Sequence, residues 1–142
     1  MEIRQPKNKE ELEQCLGLRY RILRKAWGQP RGSERDEEDK TSFHIAAFDC
    51  GRAIGTGRLQ MLSPRLARIR YMAVDESWRG RGTGAAMLAA LEGEARSRGA
   101  SRVTLNAREG AVRFYEERGY AMKREVEKLF GVIRHFRMEK KL

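Results

Sequence analysis

The chain has 142 residues, of which 40% are hydrophobic and 35% charged. That supplies one core over residues 1–142 and excludes a disordered tail; no run approaches the roughly 20 apolar residues of a membrane helix. The net charge of +10 raises a polyanion partner as a function class.

The N-terminus, Met1-Glu2-Ile3-Arg4-Gln5-Pro6, lacks the basic-then-apolar layout of a signal peptide, so an unprocessed cytoplasmic protein is expected. Residues 2–6 start as a short strand that Pro6 ends. Asn8 followed by Glu11 resembles a helix cap with its reciprocal acid. Behind it Leu12, Cys15, Leu16, Ile22, Leu23 and Ala26 share one stripe, which predicts a helix stopping by Gly28-Gln29-Pro30. Arg19 lies on that stripe. Either it snorkels to water or a salt bridge, or it aims a cation into a site. Residues 28–42 read as a loop, and its segment 34–39 holds five acids against one base.

Phe43 to Phe48 is strand-like. Asp49-Cys50-Gly51-Arg52 is a turn, a second strand covers about 53–62, and Ser63-Pro64-Arg65 makes the next turn. Residues 66–74 alternate, with Ala67, Ile69 and Tyr71 on one side and Arg68, Arg70 and Met72 on the other. Together 43–74 form an antiparallel meander of three strands. Asp75 to Trp78 then turns, Ala85 to Arg98 is a helix closed by Gly99, and Arg102 to Ala107 is a strand. Ala111 to Arg118 is a second helix closed by Gly119, and 120–128 and 132–139 are the final strands. The order defines an α/β (α+β) fold, a mixed sheet in one domain. Cys15 and Cys50 make neither a disulfide framework nor a zinc site and read as small buried hydrophobes; no metal is expected.

The charge distribution weakens a nucleic-acid reading. Of the 30 basic residues 22 are Arg, and no basic run exceeds two residues. Segment 34–39 carries −4, so the remainder is +14, and the charge is polarised. No aromatic–basic recognition motif accompanies it. The turn before the first long helix points to a smaller anion. Arg79-Gly80-Arg81-Gly82-Thr83-Gly84 places glycines between a strand and a helix N-terminus, where backbone amides and the helix dipole favour phosphate. It lacks the Lys-Ser/Thr of a P-loop and the glycine spacing of a dinucleotide fingerprint. Taken alone it is also compatible with a tight connection that holds no ligand.

The same residues match the Gln/Arg-x-x-Gly-x-Gly/Ala motif of the GCN5-related N-acetyltransferases (GNAT). Tyr71-Met72-Ala73-Val74-Asp75 looks like that family's fourth strand, and Ala111 to Tyr120 resembles its A-x-x-F-Y-x-x-x-G-Y/F signature. Arg19-Tyr20-Arg21-Ile22-Leu23, Asp36, Asp39 and His44 resemble the small bacterial, ElaA-like branch, as does Leu105-Asn106-Ala107. The resemblance implies a mostly antiparallel sheet flanked by helices and an acyltransferase that moves acetyl from acetyl-CoA to a primary amine.

Carried over by position, it implies that Arg79, Gly80, Arg81, Gly82, Thr83 and Gly84 hold the cofactor's pyrophosphate. Met72, Ala73 and Val74 would pair with its pantetheine arm, with Asn106 and Phe114 as further contacts. Tyr115 takes the position of the general acid, with a core aromatic as the alternative. The base stays open among His44, His135, an acid of 34–39 or a water chain; His titrates in the useful range, yet a lone strand His is often structural. Relatives carry Asn where this chain has Arg108. The acidic run is either a solvated loop or the acceptor mouth, with Arg19, Asp36 and Asp39 as substrate candidates for a cationic amine. A small-molecule or peptide acceptor, no nucleic acid, no membrane and a homodimer are the expected associations. The alternative class is a non-catalytic acyl-CoA-binding or basic nucleic-acid-binding module.

Overall fold

Asn8 caps the first helix, its Oδ1 accepting from the Glu11 N–H at 2.9 Å. The reciprocal bond lands one residue early: Glu11 Oε1 accepts from the Lys7 N–H at 2.7 Å. In the computed structural model, which describes residues 1–142, the helix α1 runs Lys9–Leu23, and a 3₁₀ turn at Lys25–Trp27 carries the chain to Gly28. The strands are β1 (Glu2–Arg4), β2 (Phe43–Asp49), β3 (Arg52–Ser63), β4 (Leu66–Val74), β5 (Arg102–Arg108), β6 (Ala121–Leu129) and β7 (Ile133–Lys141). Two further helices are α2 (Thr83–Ser97) and α3 (Val112–Glu116).

The seven strands form one sheet in the order β1-β2-β3-β4-β5-β7-β6. Every neighbouring pair is antiparallel except β4 and β5. Alternation along β2 assigns the two faces. Ile45 and Ala47 join the main core with Met87, Leu88 and Leu91 of α2. Ala46 and Phe48 point the other way and pack with Cys15 of α1. The sheet is thus covered on both sides, and α1 and α2 lie on opposite faces.

Three sequence expectations are corrected. The loop 28–42 is not featureless: Asp36 caps a 3₁₀ turn at Glu37–Lys40, and Asp39 returns a bond to the Asp36 N–H at 2.9 Å. Cys50 is not buried; it is exposed at φ 49 in a two-residue hairpin turn with Gly51. The alternation along β4 also breaks at Tyr71. Thr56 pairs with Ala73 and Arg58 with Arg70, so Tyr71 and Met72 together oppose Gly57 alone. This is a β-bulge, with Tyr71 at φ 58. Tyr71 therefore turns its ring toward α1, and Met72 packs into the α2-side core. Gly57 makes room for that switch, since a Cβ there would lie 2.6 Å from the Met72 Sδ.

The bulge positions the site. Parallel pairing of β4 with β5 covers only Leu66–Arg102, Ala67–Val103 and Arg68–Thr104. Beyond it the strands part, and the outer half of β4 has no neighbour on its β5 side. Backbone groups there are free to pair with something other than the chain.

Candidate active site

Two cavities open into the gap between β4 and β5. The larger, of about 1050 Å³, runs over Met72, Ala73 and Val74 to Gly80, Gly82 and Thr83, with Phe114 on its wall. The smaller, of about 420 Å³, lies on the α1 side, under the hairpin joining β6 and β7. Leu23, Met72, Arg108, Ala111, Tyr115 and Lys128 line both, so the cavities meet at these residues.

The glycine turn fits an anionic group. Gly80 and Gly82 sit at φ 75 and 82, which costs other residues strain. Neither is forced by packing, because a Cβ at either would meet nothing within 4 Å. Gly84 is packed: a Cβ there would lie 3.3 Å from Phe114 Cζ. The first bond into α2 runs from the Ala86 N–H to Gly82 O, so the amides of Thr83, Gly84 and Ala85 have no intrahelical acceptor. These donors and the positive end of the helix face the groove. Arg79 lines it too, whereas Arg81 lies over the Trp78 ring, 4.8 Å from its centroid, and off the groove wall. Upstream, Asp75 caps the Glu76–Trp78 turn. Its bonds from the Ser77 hydroxyl and amide hold its carboxyl down at about 2, and Arg21 pairs with it at 2.8 Å.

Tyr115 sits where the cavities join. It is 7% exposed and packs edge-on against Phe114 and Tyr120, with centroids 5.0 and 5.6 Å away. Burial pushes its phenol up to about 12, so it keeps its proton throughout the neutral range. His135, on β7, lies on the wall of the smaller cavity. Burial, then the charges of Arg108, Arg24 and Arg70, pull its imidazole below the ordinary value, which keeps it neutral at pH 7. Asn106 lines the smaller cavity rather than the groove, and its Oδ1 accepts from Arg137 Nε at 2.9 Å.

Four sequence candidates lie elsewhere. His44 lines neither cavity. Its Nε2 contacts Asp39 O at 2.8 Å, and it is buried beneath the acidic turn. Arg19 is 0% exposed and donates to Asp39 Oδ1 at 2.9 Å and Glu34 O at 3.0 Å. Of its two readings the salt bridge is the one seen, with the side chain buried rather than reaching water or a cavity. Asp39 also takes Arg58 Nη1 at 2.9 Å, and Asp36 takes the same nitrogen at 2.6 Å. Burial works against ionisation of Asp36, but the Arg58 bond and charge and the Tyr71 hydroxyl hold it at about 2. The acidic run is therefore largely spent on buried arginines, because Arg19 and Arg58 could not otherwise enter the interior.

Sequence reasoning missed Arg24, Arg68, Arg70, Arg108 and Lys128 as residues of the smaller cavity. The one available signal was the i, i+2 placement of Arg68 and Arg70 on β4. Arg24 and Lys128 come from elements whose proximity only the fold creates.

The fold is a mixed sheet that splits beside a glycine turn, with the buried Tyr115 phenol at the split. A family model for the acetyltransferase (GNAT) domain matches residues 20–142. The chain is 34% identical over 134 residues to the uncharacterized N-acetyltransferase YjcF of Bacillus subtilis (strain 168), covering 94% of this chain and 95% of that protein. Escherichia coli ElaA shares the fold at TM-score 0.83 and 18% identity, over 99% of this chain and 97% of that one. So does an aminoglycoside 6′-N-acetyltransferase solved in complex with coenzyme A, at TM-score 0.83 and 19% identity over 99% and 97%. The chain belongs to the GNAT acetyltransferase family, and it is an acetyl-CoA-dependent N-acetyltransferase. No helix is long and apolar enough to cross a membrane.

Proposed function

We propose that the larger groove takes acetyl-CoA and the smaller cavity takes the amine, with transfer at their junction. The observation that carries this is Tyr115, which lines both cavities and holds its proton. The amides from Gly80 to Gly84 hold the pyrophosphate, with Arg79 beside them. The unpaired edge of Met72, Ala73 and Val74 takes the pantetheine arm. When bound, acetyl-CoA supplies a thioester whose C–S bond breaks as the C–N bond to the amine forms.

The chain's own groups serve that exchange. Backbone amides near Met72 donate toward the oxygen that gains charge. The amine enters in its neutral form, neutral His135 accepts the proton its nitrogen sheds as the C–N bond forms, and solvent carries a proton back to Tyr115 after the thiol has left. Tyr115 donates to the departing sulfur. A free thiol titrates near 8.5, so outright transfer from a phenol at about 12 runs uphill. Tyr115 therefore acts first as a hydrogen-bond donor, and yields its proton only as charge builds on the departing sulfur.

A panel of primary amines with free-thiol detection of released coenzyme A tests the reading. Release that depends on both acetyl-CoA and one class of amine is expected. Binding of acetyl-CoA with no release across the panel would contradict transfer.

A further inference from the structure

The charge of the smaller cavity is the opposite of what the acidic run suggested. Arg24, Arg68, Arg70, Arg108 and Lys128 line it, against the single carboxylate of Glu127. The deeper arginines of the molecule are neutralised, Arg19 by Asp39 and Arg58 by Asp36 and Asp39. Of those on the cavity wall, only Arg70 comes within 4.0 Å of a carboxylate. Arg24 donates only to backbone, to Ser33 O at 3.0 Å and Leu23 O at 3.1 Å. Arg108 donates only to Leu23 O at 3.0 Å. Arg68 meets no carboxylate within 4.0 Å, and Arg70 reaches Asp36 at 3.6 Å, a carboxylate already engaged by Arg58.

Half-buried cations held together without counter-charge repel one another. Burial and then Arg70, Arg137 and Arg58 pull Arg68 below its ordinary value, and burial and then Arg24 do the same to Arg108. Arg68 and Arg108 nonetheless keep their charge, since a guanidinium is not deprotonated in a protein. Such an arrangement is costly until an anion enters. Arg24, Arg68 and Arg70 line only the smaller cavity, so the phosphates of acetyl-CoA in the groove do not satisfy them.

We propose that the acceptor is a small amine that also carries an anionic group, a carboxylate or a phosphate, held by Arg68, Arg70 and Arg24 while its amino group faces Tyr115. This rests on the acceptor reading of the cavity given above. A volume of about 420 Å³ suits a small molecule. Guanidinium forks match both oxyanions. A polyamine or another polycationic acceptor meets net positive charge at the entrance and is disfavoured.

Two measurements test it. In the first, thiol release is followed with an α-amino acid, its neutral amide, an amino-sugar phosphate, the unphosphorylated amino sugar and spermidine at fixed ionic strength. At least one anionic amine should exceed its neutral analogue about 10- to 100-fold in kcat/KM, the size of a charged hydrogen bond. The better of the two arms identifies carboxylate or phosphate. Arg68→Gln should raise KM for that amine by a similar factor, leave KM for acetyl-CoA unchanged and erase the discrimination. Equal or faster turnover of the neutral amines or spermidine overturns the proposal, while the transferase reading survives.

The second needs no acetyl-CoA. Inorganic phosphate should shift the His135 imidazole resonances and raise its pKa, and Arg68→Gln should abolish both effects. An unmoved His135 overturns the anion site whether or not acetyl-CoA binds.

Discussion

Tyr71 donates its hydroxyl proton to Asp36 Oδ2 at 3.1 Å. The bond fastens the acidic 3₁₀ turn to the bulge that parts β4 from β5. The guanidinium carbons of Arg19, Arg70 and Arg58 lie 4.3, 4.6 and 4.8 Å from the same ring's centroid. Tyr71→Phe keeps those cation–π contacts and loses one hydrogen bond, so urea unfolding should show a loss of about 1 kcal/mol. Tyr71→Ala should lose at least twice as much. Equal losses would mean that the ring contributes nothing.

Asp39 is the shared counter-ion of two buried guanidiniums, those of Arg19 and Arg58. Asp39→Asn takes the only carboxylate from Arg19, whose Nε and Nη2 already have no partner, and leaves Arg58 with Asp36 alone. Breaking a buried pair from one side costs about 3 kcal/mol or more. The expected variant is destabilised by that amount in denaturant, with KM for acceptor and acetyl-CoA unchanged in its folded fraction. A raised acceptor KM at unchanged stability would return the acidic run to the acceptor site.

Most of the fold was legible because its signals are local. The cap at Asn8, the strand from Phe43 and the glycines at 80 and 82 each act over a few residues, and the structure has them where the sequence puts them. The bulge was not legible. Tyr71 at φ 58 is paid for by contacts from α1, β3 and the acidic turn, and no local propensity announces it. The same long-range contacts give Arg19 the salt bridge that was one of its two readings, and take Asp36 and Asp39 away from both solvent and the acceptor mouth. In the sequence they are one cation on an apolar stripe and a distant acidic loop; in space they are partners. The arginines of the smaller cavity come from α1's exit, β4 and β5, so their common charge emerges only once those elements meet.

Acid should weaken the fold in two stages. Burial keeps His44 and His135 below their ordinary value of 6.5, so unfolding lets each take up a proton that the folded chain refuses. Stability is full above that pH and falls as pH drops through about 6.5. Asp36 and Asp75 are held at about 2 against an ordinary 3.8, which adds a second loss between those values. Melting temperature measured from pH 7.5 downward should show the first decline, and the His44→Gln, His135→Gln double variant should flatten it. A wild-type melting temperature flat from pH 7.5 to about 5 would contradict this.

Tyr115→Phe removes the donor at the cavity junction and keeps the packing against Phe114 and Tyr120. Loss of a positioned acid lowers kcat by about 100-fold. The dissociation constant of acetyl-CoA should stay within about twofold, since the ring remains. Unchanged kcat would assign Tyr115 to packing alone.

The central claim is that acetyl-CoA occupies the groove over the glycine turn, and a thermal melt with and without the cofactor tests it most directly. At a hundred times its dissociation constant, acetyl-CoA should stabilise the wild type by about 2.7 kcal/mol and raise the melting temperature by several degrees. Gly82→Glu forces a side chain into φ 82 and sets a negative charge where the pyrophosphate belongs, so that variant should melt at the same temperature with and without acetyl-CoA. A wild type whose melting temperature does not move at saturating acetyl-CoA, or a Gly82→Glu variant that moves as far as the wild type, would contradict the account.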